Sequence, residues 1–173
     1  MVILYPLLVI ASLLATAAAC LFVNWWAPIF CDANGNLPKW LKWFQTFDAT
    51  CDEAWKGGYI AASWGSTPFR RYLARVYWLY RNPAYGWDYW PFGMQFIPNE
   101  WTVKKYTSIK SSVTFFAIGP KLAFNFYMQR GGLYVKIGWK AWGYFDPIEK
   151  KWLNTSWGPS MRVPLCFTVM YKR

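Results

Sequence analysis

Residues 2–23 read VILYPLLVIASLLATAAACLFV, and no charged side chain occurs before Asp32. A run of about 20 apolar residues is long enough for a helix to cross the hydrocarbon core of a bilayer. Trp25 and Trp26 follow this run, and tryptophans favour the headgroup boundary. The stretch therefore predicts a single transmembrane helix within an anchor segment of residues 1–30.

Two other interpretations of this stretch are weaker. A cleaved signal peptide carries a basic region before its apolar core, and here only Met1 precedes Val2. The core helix of a soluble protein seldom runs this far without a polar face. We therefore expect the helix to stay on the protein as an anchor.

The charges after the helix predict its orientation. Lys39, Lys42 and Lys56 follow it, and basic residues near a membrane segment tend to stay in the cytoplasm. This favours a single-pass protein of the inner (plasma) membrane with its body in the cytoplasm. The cysteines point weakly the other way, because Cys31 and Cys51 bracket a short segment and could close a disulfide in an exported protein.

The composition narrows the classes of function. The chain of 173 residues contains 14 Trp, 12 Tyr and 13 Phe, has a net charge of +11 and lacks histidine. Disordered chains are poor in aromatic residues, so this chain is expected to fold. The lack of histidine excludes Ser-His-Asp and Cys-His nucleophiles and histidine-ligated metals. Most of the positive charge lies beyond residue 55, which predicts an anionic partner surface for that part.

The middle segment, residues 31–100, begins with an amphipathic pattern at residues 39–47. Its aromatic residues are spaced by 3, 4 and 7 positions, with lysines at the flank, which predicts a helix. Tryptophan at headgroup level beside lysine is typical of an interfacial helix; the other interpretation is a short core helix. The residues predicted at the membrane interface are Trp25, Trp26, Lys39, Trp40, Lys42, Trp43, Phe44 and Phe47.

A second helix is predicted over residues 68–83. Thr67 can cap it and Pro68 can occupy its first turn, while Pro83 ends it. The helix carries four arginines and no carboxylate, so these cations need outside anions, water or distant acids. Phosphates of lipids or nucleic acids suit the forked guanidinium, and a merely solvated face is the alternative. The predicted anion-binding residues are Arg70, Arg71, Arg75 and Arg81.

The last segment, residues 101–173, predicts an antiparallel β-meander of four or five strands, which makes the fold α+β. Residues 112–117, 121–129 and 133–140 are rich in aromatic and β-branched side chains. Gly131 and Gly132 supply a hairpin turn between the last two. A final strand over residues 162–171 is interrupted by Pro164, which suits an edge position.

The sequence carries no motif for catalysis, for a cofactor or for a metal. There is no P-loop, no G-x-G-x-x-G after a strand and no C-x-x-C. Residues 32–36 imitate the start of a calcium loop, but Leu37 and Trp43 stand where glycine and glutamate are needed. Asp88 is the one acid in an aromatic setting, and an ion pair with a nearby arginine is favoured over a catalytic role. We expect a protein that is not an enzyme.

Two short motifs, WLYRNPAYG at residues 78–86 and IGWK at residues 137–140, resemble small membrane-anchored proteins of tailed bacteriophages and prophages. Those proteins share an Arg-Asn-Pro helix end, an aromatic stretch and a strand with Gly-Trp-Lys. The resemblance covers residues 68–140 and departs from the common pattern at Gly86, where asparagine is expected. It implies a phage origin and no catalytic activity.

We therefore expect a non-enzymatic phage protein of the host inner membrane. Its partners would be anionic lipid headgroups or a host membrane protein that it modulates, in host takeover or superinfection exclusion. One alternative is a virion or assembly component that forms homo-oligomers, and a weaker one is a lipid-acting membrane enzyme. Nucleic-acid binding fits the charge and the aromatic residues, but a membrane anchor favours lipid over nucleic acid as the partner.

Overall fold

The computed structural model describes residues 2–82, 86–155 and 160–171. It confirms the α+β fold: an apolar N-terminal helix and an antiparallel meander of five strands. The chain divides into a helical unit, Ser12–Trp87, and a sheet unit, Met1–Ala11 with Asp88–Arg173. The segment boundaries expected from the sequence were residues 30 and 100. Pro83, which was expected to end the second helix, lies outside the described residues.

The apolar stretch is helical throughout. It begins as a 3-10 turn (Val2–Leu4), continues as helix α1 (Tyr5–Ala18) and ends as a π-helical turn (Ala19–Val23). By length and composition, Tyr5–Val23 is able to span a membrane. A separate 3-10 turn, Ala27–Phe30, follows it.

The rest of the helical unit is organised around one longer helix. Its α-helices are α2 (Glu53–Lys56) and α3 (Pro68–Arg81), with 3-10 helices at Lys39–Phe44 and Ala62–Gly65. Helix α3 begins as predicted, because Thr67 Oγ1 accepts a hydrogen bond from Arg70 N at 3.4 Å and Pro68 occupies the first turn. Its inner side buries Ala74, Trp78 and Leu79.

The helix predicted over residues 39–47 is shorter and tighter than expected. It is a 3-10 helix, Lys39–Phe44, and Gln45 after it is extended. The Gln45 side chain accepts a hydrogen bond from Leu37 N at 2.8 Å and donates one to Ala49 O at 2.9 Å. These bonds fold the chain back on the loop before the helix, so no further turn forms.

Among the residues that the structure describes, nine strands follow helix α4 (Gly86–Tyr89). They are β1 (Met94–Gln95), β2 (Thr102–Ile109), β3 (Ser112–Ile118), β4 (Phe124–Arg130), β5 (Leu133–Trp139), β6 (Phe145–Asp146), β7 (Lys151–Trp152), β8 (Arg162–Val163) and β9 (Leu165–Tyr171). The main sheet has the order β2-β3-β4-β5-β9 and is antiparallel throughout. The pairs β1-β8 and β6-β7 are separate.

Two predicted strands, residues 121–129 and 162–171, have different bounds in the structure. Strand β4 starts at Phe124 rather than at Lys121, because Lys121 and Leu122 take left-handed backbone angles (φ of 52° and 59°) in the turn after Pro120. Pro164 separates β8 from β9, and β9 is an edge strand of the main sheet, where a missing amide donor is tolerated.

The core of the sheet unit is aromatic. Phe96, Phe115, Trp139 and Tyr144 are almost fully buried, and the rings of Phe96 and Tyr144 stack at 4.2 Å between centroids. A fully buried side chain of this kind contributes about 2 kcal/mol through removal of apolar surface from water. Trp139 also satisfies its indole N–H, which donates to Phe92 O at 2.9 Å.

The start of the apolar helix belongs to this core. The Tyr5 hydroxyl donates to Cys166 O at 2.8 Å and accepts from Gly138 N at 3.0 Å. Its ring is edge-on to Phe124 and Trp139, at 5.0 and 5.5 Å. Gly138 has φ of +100°, and a Cβ there would lie 2.1 Å from Phe124 O, so the position requires glycine.

Candidate membrane-binding surface and arginine cluster

The N-terminal helix exposes most of its apolar surface. Between residues 5 and 23, Tyr5, Val9 and Ala19 are the buried positions. The large exposed apolar side chains at this end of the chain are Ile3, Leu4, Leu7, Ile10, Leu13, Leu14, Leu21 and Phe22. Soluble monomers rarely expose a contiguous apolar patch beyond a few hundred Å². This exposed face is a candidate surface for acyl chains.

Three aromatic side chains of the helical unit meet on its surface. Trp26 stacks on Trp40 at 6.3 Å, and the Phe30 ring is edge-on to both, at 5.9 and 5.4 Å. Trp26, Phe30 and Trp40 are 38%, 50% and 61% exposed, and we call them the aromatic surface cluster. Exposed amphipathic rings of this kind suit the headgroup level of a bilayer.

Most of the predicted interface residues lie on the surface, and two do not. Trp25, Trp26, Lys39, Trp40, Lys42 and Trp43 are exposed, whereas Phe44 and Phe47 are half-buried. Phe44 packs against the buried cluster that contains Leu79. A 3-10 helix has three residues per turn, so Trp40 and Trp43 share its outer side while Phe44 turns inward.

The four arginines of α3 have different surroundings. Arg70 is exposed. The Arg71 guanidinium carbon lies 5.5 Å from the centre of the Trp55 ring, and that of Arg81 lies 4.0 Å from the centre of the Tyr59 ring. Each contact is a cation–π interaction. In the described part of the chain, the ion pairs of α3 involve none of these three arginines.

Arg75 was predicted to bind an outside anion, but it pairs with an acid of the same chain inside the helical unit. Its Nε donates to the Asp52 carboxylate Oδ1 at 2.6 Å, and its Nη2 donates to Asp32 O at 3.1 Å. Both side chains of the pair are buried, and Lys56 Nζ lies 3.6 Å from the other Asp52 oxygen. Burial opposes the charge of Arg75, but the hydrogen bond and the charge of Asp52 raise its pKa.

A cavity of 480 Å³ opens beside the start of α3 in the helical unit. Its lining combines apolar, hydroxyl and cationic side chains: Pro28, Ile29, Gly65, Ser66, Thr67, Pro68, Arg71, Tyr72 and Arg75. The Tyr72 hydroxyl donates to Trp25 O, which holds the wall of the cavity next to the exposed aromatic residues. The sequence pointed to Arg71 as a cation but gave no sign of the cavity.

The two cysteines predicted to pair lie side by side as thiols. The Cys51 thiol donates a hydrogen bond to the Cys31 sulfur, which lowers the pKa of Cys31 and raises that of Cys51. Cys51 is buried and Cys31 is half-buried. A disulfide between them stays a prediction.

Arg162 and Asp88 are the notable charged residues of the sheet unit near the end of α4. Arg162 donates to three backbone carbonyls, Tyr89 O at 3.1 Å, Trp90 O at 2.7 Å and Gly93 O at 2.9 Å. Asp88 is buried. Burial raises the pKa of the Cys166 thiol to about 12, and the charge of Asp88 adds to this rise. No local pattern pointed to this role of Arg162, because 69 to 73 residues separate it from its partners.

These features define an α+β protein that combines an apolar N-terminal helix with a basic, aromatic body. Residues 1–173 match the model of a family of unknown function, DUF7338, and the chain belongs to that family. No curated protein and no solved structure matches it.

Proposed function

We propose that this protein is a non-enzymatic membrane protein that binds the headgroups and acyl chains of the inner (plasma) membrane. The observation that carries the proposal is the exposed apolar face of the N-terminal helix followed by the exposed aromatic surface cluster. Acyl chains would cover the first, and headgroups would surround the second. The net charge of +11 favours anionic lipids over zwitterionic ones.

The packing of Tyr5 supports an anchor that enters the membrane from one side. Tyr5 and Val9 lie in the sheet core, while Ala19 is buried and Val23 packs against the core of the helical unit. At most residues 10–23 therefore remain for lipid, which is about 21 Å of helix. The hydrocarbon core is about 30 Å thick, so this length does not cross it. A single crossing, as the sequence predicts, stays a prediction and requires the first two helical turns to leave the sheet. The lysines after the helix favour the cytoplasmic side.

The biological setting that we propose is a phage infection. The Arg-Asn-Pro and Gly-Trp-Lys motifs motivate it, and a small membrane-bound protein without catalytic motifs suits the modulation of a host membrane protein. Affinity purification of the full-length protein from detergent-solubilised host membranes tests this role. A specific host membrane protein should be recovered with the wild-type chain and lost with the triple variant W26A, F30A and W40A. Recovery of lipid alone would count against a protein target.

The membrane proposal is tested by alkaline carbonate washing of membranes that contain the full-length protein. The wild type should stay in the pellet, since apolar burial in lipid does not depend on ion pairs. Changing two exposed positions, Leu14→Lys and Phe22→Lys, should release it. The matched control changes two exposed aromatic residues of the sheet unit, Phe167→Lys and Tyr171→Lys, and should stay in the pellet. Release of the wild type would overturn the proposal.

A second candidate, self-association, is favoured by the edge strand β9. Phe167, Val169 and Tyr171 alternate along it and are 50%, 58% and 67% exposed. An unprotected apolar edge is a template for pairing with another strand. Light scattering of the detergent-solubilised protein should then show an oligomer that Val169→Lys converts to a monomer. A wild-type monomer would exclude this candidate.

A further inference from the structure

The cavity beside α3 is lined by residues of two kinds. Pro28, Ile29 and Pro68 are the apolar members of its lining. Ile29 is 67% exposed and precedes Phe30 of the aromatic surface cluster. The same lining contains Ser66, Thr67 and the cation Arg71. Such a mixed lining suits a ligand with an anionic head and an apolar tail.

Arg71 supplies the net positive charge of this cavity. The other cation in the lining, Arg75, is balanced by the buried Asp52 carboxylate at 2.6 Å. No carboxylate lies within ion-pair distance of Arg71 among residues 2–82, 86–155 and 160–171. Its charge is therefore available to a ligand.

The surroundings of Arg71 also prepare its geometry. Its guanidinium lies over the Trp55 ring at 5.5 Å, and a guanidinium that faces an aromatic ring keeps its in-plane N–H groups for other acceptors. Gly65 makes this arrangement possible, because a Cβ there would lie 2.5 Å from Trp55 Nε1. Two parallel N–H groups match a pair of phosphate oxygens.

We propose that the cavity binds the phosphate group of an anionic phospholipid, with Arg71 as the recognising cation and the apolar lining at Ile29 as the contact for the glycerol and acyl part. This inference rests on the proposed membrane function and adds one specific lipid site to it. The shared chemistry is a phosphate oxyanion, and the apolar lining selects the lipid-borne form over free phosphate.

Isothermal titration calorimetry of the full-length protein in a non-ionic maltoside detergent tests the site. The ligands are short-chain phosphatidylglycerol, short-chain phosphatidylcholine and inorganic phosphate. Phosphatidylglycerol should bind best to the wild type. Arg71→Gln should weaken it about tenfold, as expected for the loss of a charge-assisted hydrogen bond. Arg70→Gln is the matched control, since it removes the same charge one residue away, outside the lining, and should leave binding unchanged.

The other outcomes separate the site from the anchor. Equal weakening by Arg70→Gln and Arg71→Gln would overturn the site in favour of diffuse attraction. Equally tight binding of inorganic phosphate would overturn its lipid character. If Arg71→Gln lowers the melting temperature, Arg71→Lys replaces it; this variant keeps the charge but loses the fork, and should still bind several-fold more weakly than the wild type. Retention in the carbonate pellet without phosphatidylglycerol binding would refute the site alone, while release from the pellet would refute the membrane function.

Discussion

Arg75 Nε and Asp52 Oδ1 lie 2.6 Å apart, with both side chains buried in the helical unit. The pair joins helix α3 to the loop before α2, and Arg75 Nη2 also donates to Asp32 O at 3.1 Å. An arginine that the sequence assigned to an outside anion is thus neutralised by a carboxylate of the same chain. Buried pairs of this kind contribute little net stability, but the loss of one partner leaves an isolated charge.

Removal of one partner of this pair should destabilise the helical unit strongly. Asp52→Asn leaves the Arg75 cation buried beside a neutral group, and we expect a loss of about 3 kcal/mol in the free energy of unfolding. Chemical denaturation of the detergent-solubilised protein measures it. Arg70→Gln, an exposed arginine of the same helix, should change it by less than about 0.5 kcal/mol. Equal stabilities of Asp52→Asn and the wild type would show that the pair is not formed.

The Tyr5 hydroxyl should matter for the stability of the sheet unit. Tyr5→Phe keeps the ring contacts with Phe124 and Trp139 but leaves the Gly138 N–H without its acceptor. We expect a loss of about 1–3 kcal/mol in the free energy of unfolding, measured by near-ultraviolet circular dichroism during denaturation. Tyr171→Phe is the matched control, because Tyr171 is 67% exposed. If the two variants lose the same amount, the Tyr5 hydroxyl is not bound in solution.

The elements that local signals encode were predictable from the sequence. Helix α3 begins where Thr67 and Pro68 place it, and the hairpin at Gly131 and Gly132 joins β4 to β5. Contacts between residues far apart in the chain were not predictable from the sequence. Asp52 and Arg75 are 23 residues apart without a periodic relation, and Tyr5 reads as one more member of an apolar run although its hydroxyl reaches β5 and β9. The cavity was equally hidden, since its walls come from residues 28–29 and 65–75.

The packing of Tyr5 in the sheet unit makes the membrane topology of the N-terminal helix testable. Ile3 is 87% exposed, so Ile3→Cys in a chain whose four cysteines are changed to serine gives one accessible thiol. If the sheet unit keeps Tyr5, a membrane-impermeant maleimide should label this thiol only after the cells are opened. Labelling in intact cells would show that residue 3 is outside and would support the single crossing. An exposed Ser63→Cys in the helical unit serves as the control for the cytoplasmic side.

The aromatic surface cluster should contribute to lipid binding but not to folding. Trp40→Ala removes a ring that is 61% exposed, and we expect a loss of about 1 kcal/mol of partitioning energy, or roughly fivefold weaker flotation with phosphatidylglycerol vesicles. The free energy of unfolding should stay within about 0.5 kcal/mol of the wild type. Trp64→Ala is the control, since Trp64 is 39% exposed in the Ala62–Gly65 turn. Equal flotation of the two variants would show that the aromatic surface cluster is not part of the lipid-binding surface.

The hydrogen bond between the Cys31 and Cys51 thiols should be visible in the pH dependence of alkylation. Because Cys51 donates to Cys31 and lowers its pKa, the Cys31 thiolate forms at lower pH, and its reaction with iodoacetamide should reach half its maximal rate below the ordinary thiol value of about 8.5. Cys51→Ala removes the donor and should move that midpoint upward. Cys166→Ala, in the sheet unit, should leave it in place.

The pair also reports the compartment of the helical unit. Two adjacent thiols should be oxidised to a disulfide in the periplasm and remain reduced in the cytoplasm. Maleimide gel shifts of protein trapped with acid from living cells distinguish the two states. We expect free Cys31 and Cys51, in agreement with the orientation that Lys39 and Lys42 favour. A disulfide that is lost in Cys31→Ser but kept in Cys20→Ser would place this unit on the exported side, because only that side supplies an oxidant for the pair.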